Sequence, residues 1–183
     1  MLIIGITGTL GAGKGTIVDY LVNKHGFTHY SVRQYLLNKI EKQGLLPNRD
    51  SMVKVANALR KQHTPYYIIS ELFDQAVNEG KDAVIESIRT SGEVEFLRQQ
   101  ERFLLIAVDA DPYLRYERIK NRKSETDDID FATFIENEKR EMTATDPNKQ
   151  NLQKCIRMAD IKLINNDSVK ELIYQLNEKL FRD

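Results

Sequence analysis

Nine residues near the start of the chain have the types and spacing to hold a polyphosphate. Gly8, Thr9, Leu10, Gly11, Ala12, Gly13, Lys14, Gly15 and Thr16 read G-x-x-x-x-G-K-G-T. Glycines let consecutive backbone N–H groups converge on an anion, because side chains would block that approach. A helix starting near Gly13 adds its unpaired N–H groups and the positive end of its dipole. Lys14 supplies a mobile charge for the outer phosphates, and the Thr16 hydroxyl is placed to ligate Mg²⁺. The apolar run Leu2-Ile3-Ile4-Gly5-Ile6 precedes these residues, and Ile17, Val18, Leu21 and Val22 form a helical stripe after them. Strand, glycine-rich turn and helix is the setting such a loop requires, so Gly8 to Thr16 read as a nucleotide-phosphate site.

Phosphoryl transfer also needs positive charge on the moving group and a carboxylate to orient magnesium and its waters. Arg115, Arg118 and Arg122 are spaced i, i+3, i+7 and share one helix face, where transferring phosphates are the expected partner. Two acids at strand ends compete for the magnesium role: Glu86, after Ala83-Val84-Ile85, and Asp109, after Leu104 to Val108. Glu86 is preferred because Arg89 follows it, although strand order decides the matter. Arg89 lies in a loop after a core strand, where binding residues concentrate. Arg33, Arg49 and Arg60 read alone as surface residues, and Glu138 as the ion-pair partner of a neighbouring arginine. His25, His29 and His63 have no metal-ligand spacing. No arrangement for nucleophilic hydrolysis is present.

The elements that must position these residues alternate. Short apolar strands are expected at 2–6, 27–30, 83–85, 103–108 and 161–164. Between them lie helices capped by Ser31, by Asp50 and by the Thr90/Glu93 pair, one opened by Pro65, and one started by Asp111-Pro112. Phe131, Ile135 and Met142 mark a further helix, and Ser168 with Glu171 has capping-box spacing before the last. This alternation predicts a parallel sheet covered on both faces. A chain of 183 residues suits one domain. Lysine plus arginine balances aspartate plus glutamate, 27 against 27, so no global field draws the chain onto nucleic acid. The single Cys155 fits a reducing compartment, and no stretch reaches the roughly 20 apolar residues of a membrane span. A soluble cytoplasmic protein is expected.

The loop, with Gly15 before Thr16, resembles the adenylate kinase and cytidylate kinase group of nucleoside monophosphate kinases. Three further segments carry the likeness. Tyr30-Ser31-Val32-Arg33 lies where that family places a phosphate-gripping arginine. Glu86-Ser87-Ile88-Arg89-Thr90 is similar to a shortened D-G-x-P-R-T segment. Tyr116 to Arg122 is similar to the helix leading into the family's lid. Ala159 to Asp167 is similar to its final strand and a loop near the donor base. The resemblance implies a P-loop NTPase fold: a three-layer α/β/α sandwich on a five-stranded parallel sheet. Residues of about 31–80 would form an acceptor-binding insertion and about 123–148 a lid. It implies ATP and Mg²⁺ as cofactors. Gly8, Gly11, Ala12, Gly13, Lys14, Gly15 and Thr16 would hold the donor, with Thr16 and Glu86 serving the metal. Lys14, Arg118, Arg122 and Glu86 would act in catalysis, and Arg33 and Arg89 would hold a nucleotide acceptor.

The chain departs from that family at Glu86, where aspartate is usual, and at the missing proline before Arg89. Its lid lacks zinc cysteines. In these features it is similar to adenylate-kinase-related and dephospho-CoA-kinase-like proteins. Ribonucleotide, deoxynucleotide and dephospho-CoA acceptors stay open, as does a nucleotide-binding regulatory module with little transferase activity. Similar modules occur beside deoxycytidylate deaminases. This chain lacks the deaminase cysteine signature, so a link to a deaminase or another protein of nucleotide metabolism is a partner expectation.

Overall fold

The computed structural model describes residues 1–122 and 129–181. Its five strands are β1 (Ile3–Gly8), β2 (Thr28–Ser31), β3 (Ala83–Glu86), β4 (Phe103–Asp109) and β5 (Ile161–Ile164). All neighbouring pairs are parallel, in the order β2-β3-β1-β4-β5. β1 is therefore central, and its C-terminal end is flanked by the ends of β3 and β4. This is where a parallel sheet places its ligands.

Strand residues alternate between two cores because successive side chains leave opposite faces. Ile3, Ile85 and Leu105 pack on one face beneath helices α4 (Tyr67–Glu79), α5 (Ser91–Arg98) and α8 (Leu152–Met158). Ile4, Ile6, Val84, Ile106 and Val108 pack on the other, against α1 (Lys14–His25) and α9 (Val169–Leu180). Both faces are covered, giving the three expected layers. Helices α2 (Val32–Lys42) and α3 (Arg49–Gln62) extend the first core, through Leu36, Ile40, Val55 and Ala56. A third cluster joins α6 (Pro112–Arg122) to α7 (Phe131–Met142) through Tyr116, Ile119 and Phe134, and Leu10 of the glycine-rich loop packs against it.

The helix starts are mostly local decisions. The Ser31 hydroxyl accepts from the Gln34 amide at 3.2 Å, and Thr90 and Glu93 form a complete capping box. Asp111 accepts from the Tyr113 amide at 2.9 Å, with Pro112 in the first helical position. Asp50 is not the cap of α3: Asn48 is, accepting from the Ser51 amide at 2.9 Å, so the helix starts earlier and includes Arg49. α8 was not expected. Only Leu152 and Cys155 of its residues are buried, too few to make a periodic signal.

Gly8 ends β1 at a φ of 138°, beside Val108 of β4. A Cβ there would sit 2.0 Å from the Val108 carbonyl oxygen, a backbone atom that cannot swing away. Gly8→Ala is expected to destabilise the protein by about 2–3 kcal/mol, read as a lower urea midpoint at unchanged slope. Among the described residues, no helix is long and apolar enough to cross a membrane.

Candidate functional site

A cavity of about 470 Å³ opens at the C-terminal end of β1. Gly11, Gly13, Lys14, Gly15 and Thr16 line it from the loop, and Glu86 and Arg89 from the end of β3 and beyond. Arg118 and Arg122 reach it from α6, and Arg33 from α2. Val32, Leu36, Met52, Val53 and Ala56 of α2 and α3 add an apolar part to the lining. Asn165 and Asp167, after β5, close the far side. Two positions expected to cradle phosphate lie outside this lining. Gly8 is held against β4, and Ala12 is fully buried beneath the loop, its carbonyl accepting from Asn165 Nδ2 at 2.8 Å.

Gly13 gives the loop its shape. It caps α1 in the left-handed region, at φ 103°, and a Cβ there would meet Asn165 Nδ2 at 2.2 Å. The backbone can thus turn its amides toward the cavity while Asn165 braces it from below. Ser87, next to Glu86, also has a positive φ of 75° without being glycine. Such conformations cost about 1–3 kcal/mol and cluster at binding sites.

Strand order does not distinguish the two acids, since β3 and β4 both flank β1. Their side chains point in different directions. Glu86 faces the cavity, 3.3 Å from His29 Nε2. Burial pushes its carboxyl upward, but the His29 hydrogen bond and the charges of Lys14 and Arg89 outweigh this and hold it below the usual range. Asp109 is outside the cavity lining and braces the loop instead, accepting from Thr9 Oγ1 at 2.6 Å and from the Ala110 amide at 2.9 Å. His29, which has no metal-ligand spacing in the sequence, thereby borders the site through Glu86.

The three arginines of α6 separate. Arg118 and Arg122 line the cavity. Arg118 Nη2 donates to the Asn165 carbonyl at 2.9 Å, and its Nη1 is buried with no hydrogen-bond partner among the described residues. Arg115, expected to face phosphate, does not. It pairs with Glu138 of α7 and donates to the carbonyls of Ala110, at 2.8 Å, and Leu10, at 3.3 Å. Helical spacing placed all three on one face. It could not show that Glu138 and the loop carbonyls meet the first of them. The ion-pair reading of Glu138 is correct.

Sequence reasoning left Arg49 and Arg60 on the surface, yet both line the cavity. Arg60 is 1% exposed and held by Glu93 through Nε, at 3.0 Å, and Nη2, at 2.8 Å. Its Nη1 is buried with no partner among the described residues. An unsatisfied buried donor costs about 1–3 kcal/mol, so Arg60 and Arg118 each turn a donor to the cavity that an acceptor atom of water or of a ligand would satisfy. Glu141 and Gln150, unremarked in the sequence, also line this end.

Lys14 is only 8% exposed, and its Nζ donates to the carbonyls of Gly8, at 3.1 Å, and Thr9, at 2.7 Å. Burial first, then the Arg89 charge, lower its pKa from 10.5 to about 7, with Glu86 opposing. A polyphosphate in the loop would favour the charged form again. Binding of magnesium pyrophosphate at pH 8 is therefore expected to take up nearly one proton, and at pH 6 almost none, because Lys14 already carries it there. Titration calorimetry in buffers of different ionisation enthalpy measures this directly.

A central parallel sheet with a glycine-rich loop at its middle strand and basic groups converging there defines an α/β domain of the P-loop type. The chain belongs to the AAA domain family, whose pattern matches residues 4–145. More narrowly it is a UPF0200 protein: the member from Methanococcus vannielii is 32% identical over 184 residues, covering 98% of this chain and 95% of its own. Among solved structures, a gluconokinase from Sinorhizobium meliloti superposes with a TM-score of 0.61 at 11% identity, covering 99% of this chain and 92% of its own. The shikimate kinase of Aquifex aeolicus gives 0.55 at 14%, covering 98% and 96%. At such identities the likeness is one of fold. That fold is the one these two kinases share.

Proposed function

We propose that the protein transfers a phosphoryl group from ATP, with Mg²⁺, to a nucleoside or deoxynucleoside monophosphate. One observation carries this reading: one cavity is lined by the loop lysine, two arginines of α6 and Arg89 together with apolar side chains of α2 and α3. ATP would supply the phosphoryl group, and Mg²⁺ would offset charge on its oxygens. The loop amides of Gly11, Gly13, Lys14 and Gly15, with the Lys14 side chain, would hold the donor phosphates. Thr16 and Glu86 would orient the metal, Glu86 being kept ionised by its neighbours. Arg118 and Arg122 would surround the moving group, and Arg89 and Arg33 would grip the acceptor. In the transfer, the bond from the terminal phosphorus to its bridging oxygen breaks as an acceptor phosphate oxygen bonds to that phosphorus. No covalent enzyme intermediate is needed, so catalysis is positioning and electrostatics.

The acceptor end favours a base over a polyol. Val32, Leu36, Met52, Val53 and Ala56 offer no hydrogen bonds from their side chains, which suits the face of a flat ring and not the hydroxyls of a sugar acid. Arg60 Nη1 supplies one donor for a ring nitrogen or carbonyl at its edge. The test is a panel of ribo- and deoxynucleoside monophosphates, dephospho-CoA, shikimate and gluconate, each with ATP and Mg²⁺, read by product formation. Product from a monophosphate alone supports the proposal. Product only from dephospho-CoA, shikimate or gluconate refutes it, as does tight ATP binding with no product.

A further inference from the structure

Glu141, near the end of α7, is 3% exposed and sits between two arginines that line the cavity. Arg49 Nε donates to its Oε1 at 3.0 Å, and Arg49 Nη2 to its Oε2 at 2.7 Å. Arg89 Nη1 donates to the same Oε2 at 2.9 Å and to Gln150 Oε1 at 3.0 Å. A two-pronged guanidinium grip fits the oxygens of a carboxylate and of a phosphate equally well. The two arginines come from separate elements, the start of α3 and the loop after β3. The carboxylate between them comes from a third, α7, which buries little else: Phe134 and Glu141 are its two buried residues.

We infer that Arg49 and Arg89 form the subsite for the acceptor's oxyanion, and that the acceptor enters it by displacing Glu141. The inference rests on the kinase reading for the word acceptor, but the competition does not depend on that reading. Pulling a carboxylate from between two partly buried arginines is costly unless another anion takes its place. A neutral molecule, water included, leaves Glu141 where it is. An anion replaces it in kind and frees α7 from its strongest tie to α3 and β3. The subsite thereby admits acceptors by charge and couples their arrival to movement of α7. Arg49, which sequence spacing leaves on the surface, becomes an acceptor-binding residue.

Inorganic phosphate and acetate, titrated in parallel into the full chain by calorimetry, test this. Glu141→Gln keeps the shape and removes the competing charge, so one of the two anions is expected to bind about 10-fold tighter or more. Which anion gains names the oxyanion that the subsite takes. Glu141→Gln/Arg49→Lys keeps the positive charge but loses the two-pronged grip, and the gain should disappear. A gain that survives in the double variant is general electrostatics and overturns the assignment. Unchanged or weaker binding to Glu141→Gln also overturns it, making Glu141 a brace that positions the two arginines. Thermal unfolding with and without phosphate gives a second reading: the anion should raise the Tm of Glu141→Gln more than that of the unmodified chain. Should the acceptor panel yield no product while these shifts appear, the kinase reading fails and the subsite stands. Product from a monophosphate without these shifts leaves the reverse.

Discussion

Lys14→Met is expected to lower the rate of phosphoryl transfer by about 10²–10³-fold, the usual loss when one preorganised donor is removed from developing negative charge. The loss should appear in kcat and in KM for the donor together. Lys14 is the buried cation inside the loop, so it meets the donor phosphates in the ground state as well as in the transition state. The fold should not suffer. A lysine with a pKa of about 7 in the folded protein and 10.5 in the open chain is a burden that the fold carries. Below pH 7 the lysine is charged in both states and that burden is complete. Between pH 7 and 10.5 the folded protein holds it neutral while the unfolded chain binds the proton, so stability rises with pH. Methionine removes the burden. Its gain over the wild type is therefore expected to be largest near pH 6 and to fade toward pH 10, where the loss of two hydrogen bonds, about 0.5–1.5 kcal/mol each, takes over. Urea unfolding at both pH values, beside single-turnover transfer, separates the two effects. An inactive variant that is also unfolded at pH 6 would contradict the assignment.

Glu93→Ala is expected to cost about 3–5 kcal/mol, the largest single loss of stability this structure predicts. Glu93 has no exposed surface, and it holds four donors. Its Oε1 takes Arg60 Nε and Nη2, and its Oε2 takes the amides of Arg89, at 2.8 Å, and Thr90, at 3.1 Å. Alanine leaves the Arg60 guanidinium buried without its carboxylate and two amides without an acceptor. Arg60→Met/Glu93→Met should recover the part of that loss that comes from the stranded guanidinium, since apolar side chains of similar volume replace a buried pair at little cost, while the two amides stay without an acceptor. It should not recover acceptor binding. The amide of Arg89 loses its tether and the base edge loses its Arg60 donor, so KM for the acceptor should rise in the double variant even as stability is partly restored. Denaturant midpoints and acceptor KM on the same preparations check both halves.

The parts of the site that were legible in the sequence are contiguous. The loop, its lysine and its threonine span nine residues, and their chemistry depends on spacing alone. The five strands and most helix caps were legible for the same reason, since a capping hydroxyl and its amide lie three residues apart. Glu86 is preferred over Asp109 on the residues that follow it, and only the tertiary structure shows that the Glu86 side chain lines the cavity while Asp109 braces the loop. Arg115 was misplaced because periodicity names a face and not what lies against it. Arg49, Arg60 and Glu141 were missed because their partners are far along the chain: 92 residues separate Arg49 from Glu141, and 33 separate Arg60 from Glu93.

What the chain's order of residues determined by itself is a glycine-rich turn between a buried strand and a helix, and an alternation that demands a parallel sheet. Both are consequences of local geometry, in which backbone torsions, side-chain periods and short-range hydrogen bonds act over a few residues. What only the tertiary structure decided is which charges face one another. A guanidinium on an exposed helix and one in a closed cavity have the same sequence context. Folding brings a distant carboxylate to each, and the partner, more than the arginine, sets whether that charge is spent on the fold or available to a ligand.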